Sequence, residues 1–288
     1  MPIQSNWQNA SQYRFLPEHW LSRILGKLAS GNYGVATQCA IKKFSSYYKV
    51  DMTDAVRSEF NQYKSFNDFF TRTLKPEARP ISKDPATLSC PVDGKIFNVG
   101  KLEKDIHLEA KKTRFTLSAL LGGDTNLAEQ FTGGNYATLY LSPKDYHRIH
   151  MPLTGSLEKM IYIPGRLFPV KPKVVEKTPH LFARNERVIC LFETKMGRMA
   201  IILVGAMIVG SIKTTWHGIV KADDLSQPTI WTYENNEITL RRGEEMGAFL
   251  LGSTVILLFQ PNTITLNNNL SPDHPLKMGE VMARMTDL

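Results

Sequence analysis

The stretch Gly243-Glu-Glu-Met-Gly-Ala-Phe-Leu-Leu-Gly-Ser-Thr-Val-Ile-Leu-Leu-Phe259 decides how the carboxyl-terminal part of the chain folds. Its apolar run predicts a buried strand. Gly252 and Ser253 interrupt that run with a flexible residue and a hydroxyl, where the packing of a strand would prefer neither. A glycine there permits a close approach or a strained peptide, and the structural alternative is a β-bulge with a hydrogen-bonded serine.

Outward from this stretch, the chain from Lys75 onward is punctuated by prolines and carries short, β-branched apolar runs. Such runs are typical of strands. We predict strands over residues 95–99, 136–141, 156–163, 187–193, 199–204, 207–214, 238–241 and 254–259. Gly197 marks a hairpin turn and Gly205 a bend between two apolar runs. One short helix is predicted over residues 117–121.

The amino-terminal region has a different pattern. Residues 1–50 carry six Lys or Arg and one acidic residue. Their net charge of +5 is more than half of the chain's net charge of +8. Apolar residues from Trp20 to Leu28 recur at helical spacing after Pro17, and residues 35–50 add aromatic side chains among three lysines. Both segments predict amphipathic helices. Basic helices with aromatic residues suit a membrane interface, and the alternative is that both helices dock on the protein's own core.

Composition sets the outer limits on function. The 288 residues, 42% of them apolar, are enough for one large folded domain or two small ones. Three scattered cysteines indicate neither a disulfide framework nor a zinc site, and the charge-free stretches are too short or too interrupted for the ~20 apolar residues of a spanning helix. The first residues lack the pattern of a secretory signal. The basic balance favours an anionic partner, either nucleic acid or an acidic membrane surface.

These patterns predict an α+β protein. Amphipathic amino-terminal helices form a helical, membrane-associating region over residues 1–74, and a mostly β catalytic domain follows over residues 75–288. No repeat of fixed period and no low-complexity segment divides the chain further.

Four residues are candidates for chemistry. His147 and His150 share a face if the turn that holds them is helical, and such a pair suits metal ligands, an acid and base, or a solvated turn. Asp93 lies in an Asp-Gly turn that opens a strand. With Ser253, these residues supply the members of an acid, histidine and serine triad, although the chain has no GxSxG motif. A serine hydrolase that uses Asp93, His150 and Ser253 is therefore one hypothesis.

Several segments together resemble bacterial phosphatidylserine decarboxylase, a pyruvoyl-dependent enzyme that makes phosphatidylethanolamine. The most specific is Leu251-Gly-Ser-Thr254 combined with the upstream Tyr-His-x-x-His pair. Further matching segments are Phe66-Asn-Asp-Phe-Phe-Thr-Arg-Thr-Leu74, Pro91-Val-Asp-Gly-Lys95, residues 140–152 and Tyr162-Ile-Pro-Gly165. The similarity runs from about residue 15 to the carboxyl end.

The resemblance implies a zymogen that cuts itself between Gly252 and Ser253. Ser253 attacks the Gly252 carbonyl, with His150 as the base and Asp93 orienting it. Ser253 then becomes a pyruvoyl group at the start of the small chain, and this covalent cofactor forms a Schiff base with the amine of phosphatidylserine. His147 returns the proton after carbon dioxide leaves. No metal is implied.

The resemblance also implies the partners of this lyase in phospholipid biosynthesis. They are phosphatidylserine, an anionic membrane surface, and the large and small chains of the same precursor; a homodimer stays open. Attachment is expected at the cytoplasmic side of the cell membrane, as a peripheral protein, and no nucleic-acid motif is present. Arg184, Asn185 and Arg187 are candidate anion ligands, with ordinary surface charge as the alternative.

Overall fold

A computed structural model describes residues 17–103, 105–108, 113–206, 212–220, 227–234, 236–250 and 253–286. The side chains of residues 17–23, 105–108, 113–114 and 253 lie outside that description. Within the described residues, none of the helices is long and apolar enough to cross a membrane.

The described α-helices are short, and the two longest begin the chain. They are α1 (Pro17–Ser30), α2 (Val35–Tyr48), α3 (Phe66–Phe70), α4 (Leu117–Leu120), α5 (Thr125–Phe131), α6 (Pro172–Val175) and α7 (Leu181–Arg184). The predicted helices at the amino terminus and at residues 117–121 are confirmed by α1, α2 and α4. Pro17 begins α1, where its missing N–H removes no helical hydrogen bond.

Strands are the main regular structure of the chain after residue 86. They are β1 (Thr87–Ser89), β2 (Gly94–Lys101), β3 (Asp105–Leu108), β4 (Thr113–Thr116), β5 (Asn135–Leu141), β6 (Arg148–His150), β7 (Gly155–Ile163), β8 (Arg187–Thr194), β9 (Gly197–Val204), β10 (Ile212–Thr214), β11 (Gly218–Ile219), β12 (Thr229–Thr232), β13 (Thr239–Leu240), β14 (Glu245–Phe249), β15 (Ser253–Phe259), β16 (Ile264–Leu266), β17 (Pro275–Leu276) and β18 (Val281–Met285). The α+β class is confirmed, and most predicted strands coincide with observed ones. Of the predicted strand over 207–214, only Ile212–Thr214 lies within the described residues.

One nine-stranded antiparallel sheet forms the centre of the β region. Its order is β12-β7-β8-β9-β15-β5-β2-β17, and β13 also pairs with β7. Buried side chains of β9 alternate between two apolar clusters, so that Ile201 and Leu203 lie in one and Ile202 and Val204 in the other. Both faces of the sheet are therefore covered, which explains why β9 is apolar at every position from Met199 to Val204. The hairpin between β8 and β9 turns at Gly197, whose φ of 95° confirms the predicted glycine turn.

The prediction of one interrupted strand across Gly252 and Ser253 is wrong. β14 belongs to a four-stranded sheet of order β11-β10-β14-β6, whereas β15 belongs to the large sheet. The chain passes from one sheet to the other between Phe249 and Ser253. Both strands are buried, so hydrophobicity continues across the change of sheet and does not reveal it.

The amino-terminal helices have an apolar cluster of their own. Ile41, Tyr63 and Phe69 are buried there, and Phe44 and Phe66 pack against them. Asn67 donates a 2.9 Å hydrogen bond to the Ser30 hydroxyl, which ties α3 to the end of α1. The boundary at residues 74 and 75 stays a prediction.

Candidate active site

The residues on either side of the predicted cleavage peptide pair with one loop. Ser253 opens β15 directly opposite Leu141, the last residue of β5. The Phe249 backbone N–H, at the end of β14, donates a 3.0 Å hydrogen bond to the His147 carbonyl. The loop that connects Leu141 to His147 is thus held at both ends by the backbone that flanks residues 250–252. Gly252 itself lies outside the described residues.

His147 is completely buried in this loop. Its Nε2 lies 3.0 Å from the Ser142 carbonyl, which can only accept, so Nε2 carries the proton. Nδ1 then presents a lone pair, and it has no hydrogen-bond partner. The ring stacks on Phe70 of α3, with ring centroids 4.0 Å apart. Burial lowers the pKa of His147 to about 3, with a further contribution from the positive charge of Arg72, so the imidazole is neutral at pH 7.

His150 lies three residues further on, in β6, with both ring nitrogens occupied. Nδ1 donates to the Gly243 carbonyl at 2.8 Å, and the Tyr146 hydroxyl donates to Nε2 at 3.0 Å. Burial lowers the pKa of His150 and raises that of Tyr146, so the phenol keeps its proton. The condition under which both histidines would share one face, a helical turn, is not met, because Arg148–His150 pairs with β14 as a strand.

Asp93 is buried just before β2, and it does not contact the His150 ring. Arg79 donates two hydrogen bonds to its carboxylate, one of them 2.9 Å long, and the Met278 N–H donates a third at 2.9 Å. Arg79 also pairs with Asp54 at 2.7 Å. The expected hydrogen bond between Asp93 and His150 is therefore not formed, because a guanidinium pairs with the carboxylate and His150 has other partners. A catalytic role for Asp93 stays a prediction.

Sequence reasoning missed the segment 70–73, which lies along the histidine loop. Arg148 donates to the Thr71 carbonyl at 2.9 Å and to the Thr73 hydroxyl at 3.0 Å, and Phe70 covers His147. Arg72 lies between the two threonines and donates to the Lys144 carbonyl at 2.9 Å. The signal in the sequence for this contact is an arginine that follows two adjacent phenylalanines, Phe69 and Phe70.

Comparisons with known proteins identify one family. The sequence model of the family described as phosphatidylserine decarboxylase matches residues 66–284. A Pasteurella multocida protein named phosphatidylserine decarboxylase proenzyme is 47% identical over 283 residues, covering 97% of this chain and 96% of the relative. The chain belongs to the phosphatidylserine decarboxylase family.

Other members of this family show similarity of the same extent. The Variovorax paradoxus proenzyme is 48% identical over 277 residues, covering 96% of this chain and 97% of its own. The Haemophilus influenzae Rd proenzyme is 46% identical over 287 residues, covering 98% and 99%. The resemblance found in the sequence is thereby confirmed, and membership makes the chain a carboxy-lyase.

The residues around Ser253 fit a group derived from that serine. The buried Nδ1 of His147, with no partner of its own, supplies a proton acceptor in the loop whose first residue pairs with Ser253. Within the described ranges, no three His, Cys, Asp or Glu side chains come together as metal ligands. The backbone on either side of the predicted cleavage peptide thus pairs with the loop that contains a neutral imidazole.

Two of the three candidate anion ligands have their donors occupied elsewhere. Asn185 donates to the Phe168 and Gly205 carbonyls. Arg187 is buried and donates to the carbonyls of Ala119, Leu120, Ala183 and Asn185, and burial without a carboxylate lowers its pKa to about 9. Arg184 is exposed and packs over Phe168. The Arg187 guanidinium thus stabilises the carboxyl ends of α4 and α7.

Proposed function

We propose that this family member cuts its own backbone between Gly252 and Ser253 and then decarboxylates phosphatidylserine. The observation that carries the proposal is the pairing of Ser253 with Leu141 and of Phe249 with His147. These contacts support the proposal, because described residues on either side of the peptide that must break pair with a loop that contains a buried, neutral imidazole. The proenzyme names of the relatives support a step of maturation before activity.

In the first step, the Ser253 oxygen forms a bond to the Gly252 carbonyl carbon, the Gly252–Ser253 C–N bond breaks, and an ester results. Removal of the Ser253 α-proton then expels the Gly252 carboxylate. Water replaces the nitrogen of the resulting dehydroalanine, ammonia leaves, and a pyruvoyl group remains on residues 253–288. No other residue is consumed.

His150 is the proposed base for this maturation. Its Nδ1–H is held by the Gly243 carbonyl, so Nε2 is the basic atom, and it becomes available when the Tyr146 hydroxyl turns away. Asp93 contributes a negative charge that favours the protonated form of His150 without touching it. Its pairing with Arg79 fixes the position of that charge.

The pyruvoyl group supplies an electron-accepting carbonyl that binds the amine of the substrate. The chain's own residues have to exclude water and to control one proton. Phe70 covers one face of the His147 ring. Nε2 of that ring keeps its own proton on the Ser142 carbonyl, so Nδ1 is the atom that can accept a second proton. His147 is therefore the proposed group that holds the proton returned after carbon dioxide leaves.

Denaturing mass spectrometry of the purified protein tests this proposal. The parent should give two chains, residues 1–252 and 253–288, the smaller one blocked by a ketone, and it should release carbon dioxide from phosphatidylserine. Ser253→Ala should remain one chain without activity, because both the nucleophile and the precursor of the ketone are removed. Ser89→Ala, at another buried serine, is the control and should cut normally. A parent that stays uncut and hydrolyses esters would instead support the serine hydrolase.

We also propose that the amino-terminal helices attach the enzyme to an anionic membrane. Of the seven exposed large apolar side chains in the described residues, five lie between residues 28 and 56. Val35 and Tyr47, at the two ends of α2, are 76% and 78% exposed, and Lys42, Lys43 and Lys49 are exposed beside them. The opposite side of α2 is buried on the helical cluster. An apolar surface with lysines around it suits the interface of a leaflet that contains the lipid substrate.

Sedimentation with vesicles tests the attachment. Tyr47→Asp should weaken binding to phosphatidylcholine vesicles with roughly one third phosphatidylglycerol by at least about fivefold, since a repelled charge near such a surface costs about 1 kcal/mol. Ile230→Asp is the matched control, because Ile230 is also exposed but lies on β12. Equal binding by the two variants would refute the assignment of this surface.

A further inference from the structure

Arg72 is a buried arginine, and some of its N–H groups have no hydrogen-bond acceptor among the described residues. Only 3% of the residue is exposed. Its Nη2 donates to the Lys144 carbonyl at 2.9 Å and to the Asp145 carbonyl at 3.4 Å, whereas Nε and Nη1 have no hydrogen-bond partner. Three N–H groups of a charged side chain are thus left without an acceptor. Buried polar groups are normally paired, so an arrangement of this kind calls for an explanation.

Among the described residues, no carboxylate forms an ion pair with this guanidinium. Asp93 is engaged by Arg79 and by the Met278 N–H. Asp145 accepts from the backbone and the hydroxyl of Ser142, each at 2.7 Å. Both acids are close enough to attract the Arg72 charge, but their oxygens point to other donors. Arg72 therefore keeps a positive charge that no directly bound carboxylate of the described residues neutralises, and three N–H groups without acceptors.

The position of Arg72 connects this charge to the reaction. Its Nη2 binds the loop that runs from Leu141, opposite Ser253, to His147. Its positive charge is also close enough to act on the His147 ring. A negatively charged substrate group bound by Arg72 would lie beside the imidazole and the first residue of β15.

We propose that Arg72 binds the phosphodiester of the lipid head group, an inference that rests on the decarboxylation proposed above. The head group has two anions, and the chemistry distinguishes them. An ion pair with the carboxylate would be lost as that group leaves as carbon dioxide, so it would stabilise the substrate more than the transition state. The phosphodiester keeps its charge throughout. Binding it lowers KM and leaves kcat unchanged.

Maturation accounts for the access of the lipid to a shielded guanidinium. In the uncut chain Nε and Nη1 are shielded from solvent. Phe249 and Ser253 hold opposite ends of the histidine loop, and they belong to one continuous backbone until the chain is cut between residues 252 and 253. Cutting removes this covalent connection. The loop can then move away from Arg72 far enough to admit a head group.

The test compares cut Arg72→Gln and Arg72→Lys with the cut parent, and it uses Arg284→Gln as the control. Arg284→Gln removes the same charge from an exposed arginine of β18. Kinetics are measured on short-chain phosphatidylserine in neutral detergent micelles, so that surface charge does not determine binding. Calorimetry measures two probes: glycerophosphoethanolamine, which has the phosphodiester but no carboxylate, and free serine, which has the carboxylate but no phosphodiester.

Arg72→Gln should raise KM by about 10- to 100-fold with kcat within about threefold, the loss expected for hydrogen bonds to a charged group. Its affinity for glycerophosphoethanolamine should fall by a similar factor, while serine binding should not change. Arg72→Lys, which keeps the charge, should fall between Arg72→Gln and the parent, and Arg284→Gln should match the parent.

An unchanged KM in Arg72→Gln overturns the proposal, and so does weaker binding of serine with unchanged binding of glycerophosphoethanolamine. If neither Arg72→Gln nor Arg72→Lys is cut, the arginine serves folding or processing and the proposal also fails. A cut parent that releases no carbon dioxide refutes the proposed function instead, since it removes the substrate on which this inference rests.

Discussion

The pKa of His147 makes the stability of the uncut chain depend on pH in a direction that can be calculated. The pKa is 6.5 for an ordinary histidine and about 3 for this buried one. As the pH falls below 6.5, the unfolded chain binds a proton that the folded chain does not, so the free energy of unfolding decreases, and the decrease is complete near pH 3. From pH 7 to pH 4.5, His147 alone should lower the free energy of unfolding by about 2.5 kcal/mol.

Urea denaturation of the Ser253→Ala chain at pH 7 and pH 4.5 measures this change without interference from cleavage. His147→Gln in the same background removes the titrating group, so its loss of stability between the two pH values should be about 2.5 kcal/mol smaller. His217→Gln, at an exposed histidine, is the control and should behave as the background does. A difference between the His147→Gln and background chains below about 0.5 kcal/mol would refute a buried, neutral His147.

Three further predictions concern single side chains. His150→Ala should accumulate the uncut chain, whereas His147→Ala should still cut at least in part and then release carbon dioxide poorly. Gel mobility measures cutting and carbon dioxide release measures decarboxylation. Normal maturation of His150→Ala would contradict the assignment. Asp93→Asn and Arg79→Gln should both slow maturation, because the two side chains form one ion pair; cutting of Arg79→Gln at the parent rate would show that the pair is not required. Arg187→Met should lower the free energy of unfolding by about 3 kcal/mol or more, because buried carbonyls lose their hydrogen-bond donors. A loss below about 1 kcal/mol in urea denaturation would show that water replaces the lost donors.

The expected contacts that failed did so because they depend on competition between partners that are distant in the sequence. Asp93 was expected to orient His150, but Arg79, in a proline-rich segment before the first strand, binds its carboxylate. The Gly243 carbonyl takes the place that the carboxylate was expected to occupy on His150. Nothing in the spacing of these residues ranks one partner above another.

Arg72 and Arg187 illustrate the same limit for charge. Both are charged residues at near-complete burial, and a sequence identifies neither, because charged residues are exposed by default. Arg187 is satisfied by helix carbonyls, whereas Arg72 keeps free donors beside His147. Only the list of partners separates a structural arginine from a candidate ligand.

The sequence by itself determined the α+β class, the amphipathic helices, most of the strands and the family, because these depend on local periodicity, turn residues and short motifs that neighbours in the chain specify. Tertiary structure alone decided that the chain changes sheets between Phe249 and Ser253, and that Phe70 and Arg72 contact the loop of His147. These contacts, with the pairing of Ser253 and Leu141, join segments about 70 to 110 residues apart, and their energies depend on burial and on which donors remain unpaired. Local patterns do not encode either quantity.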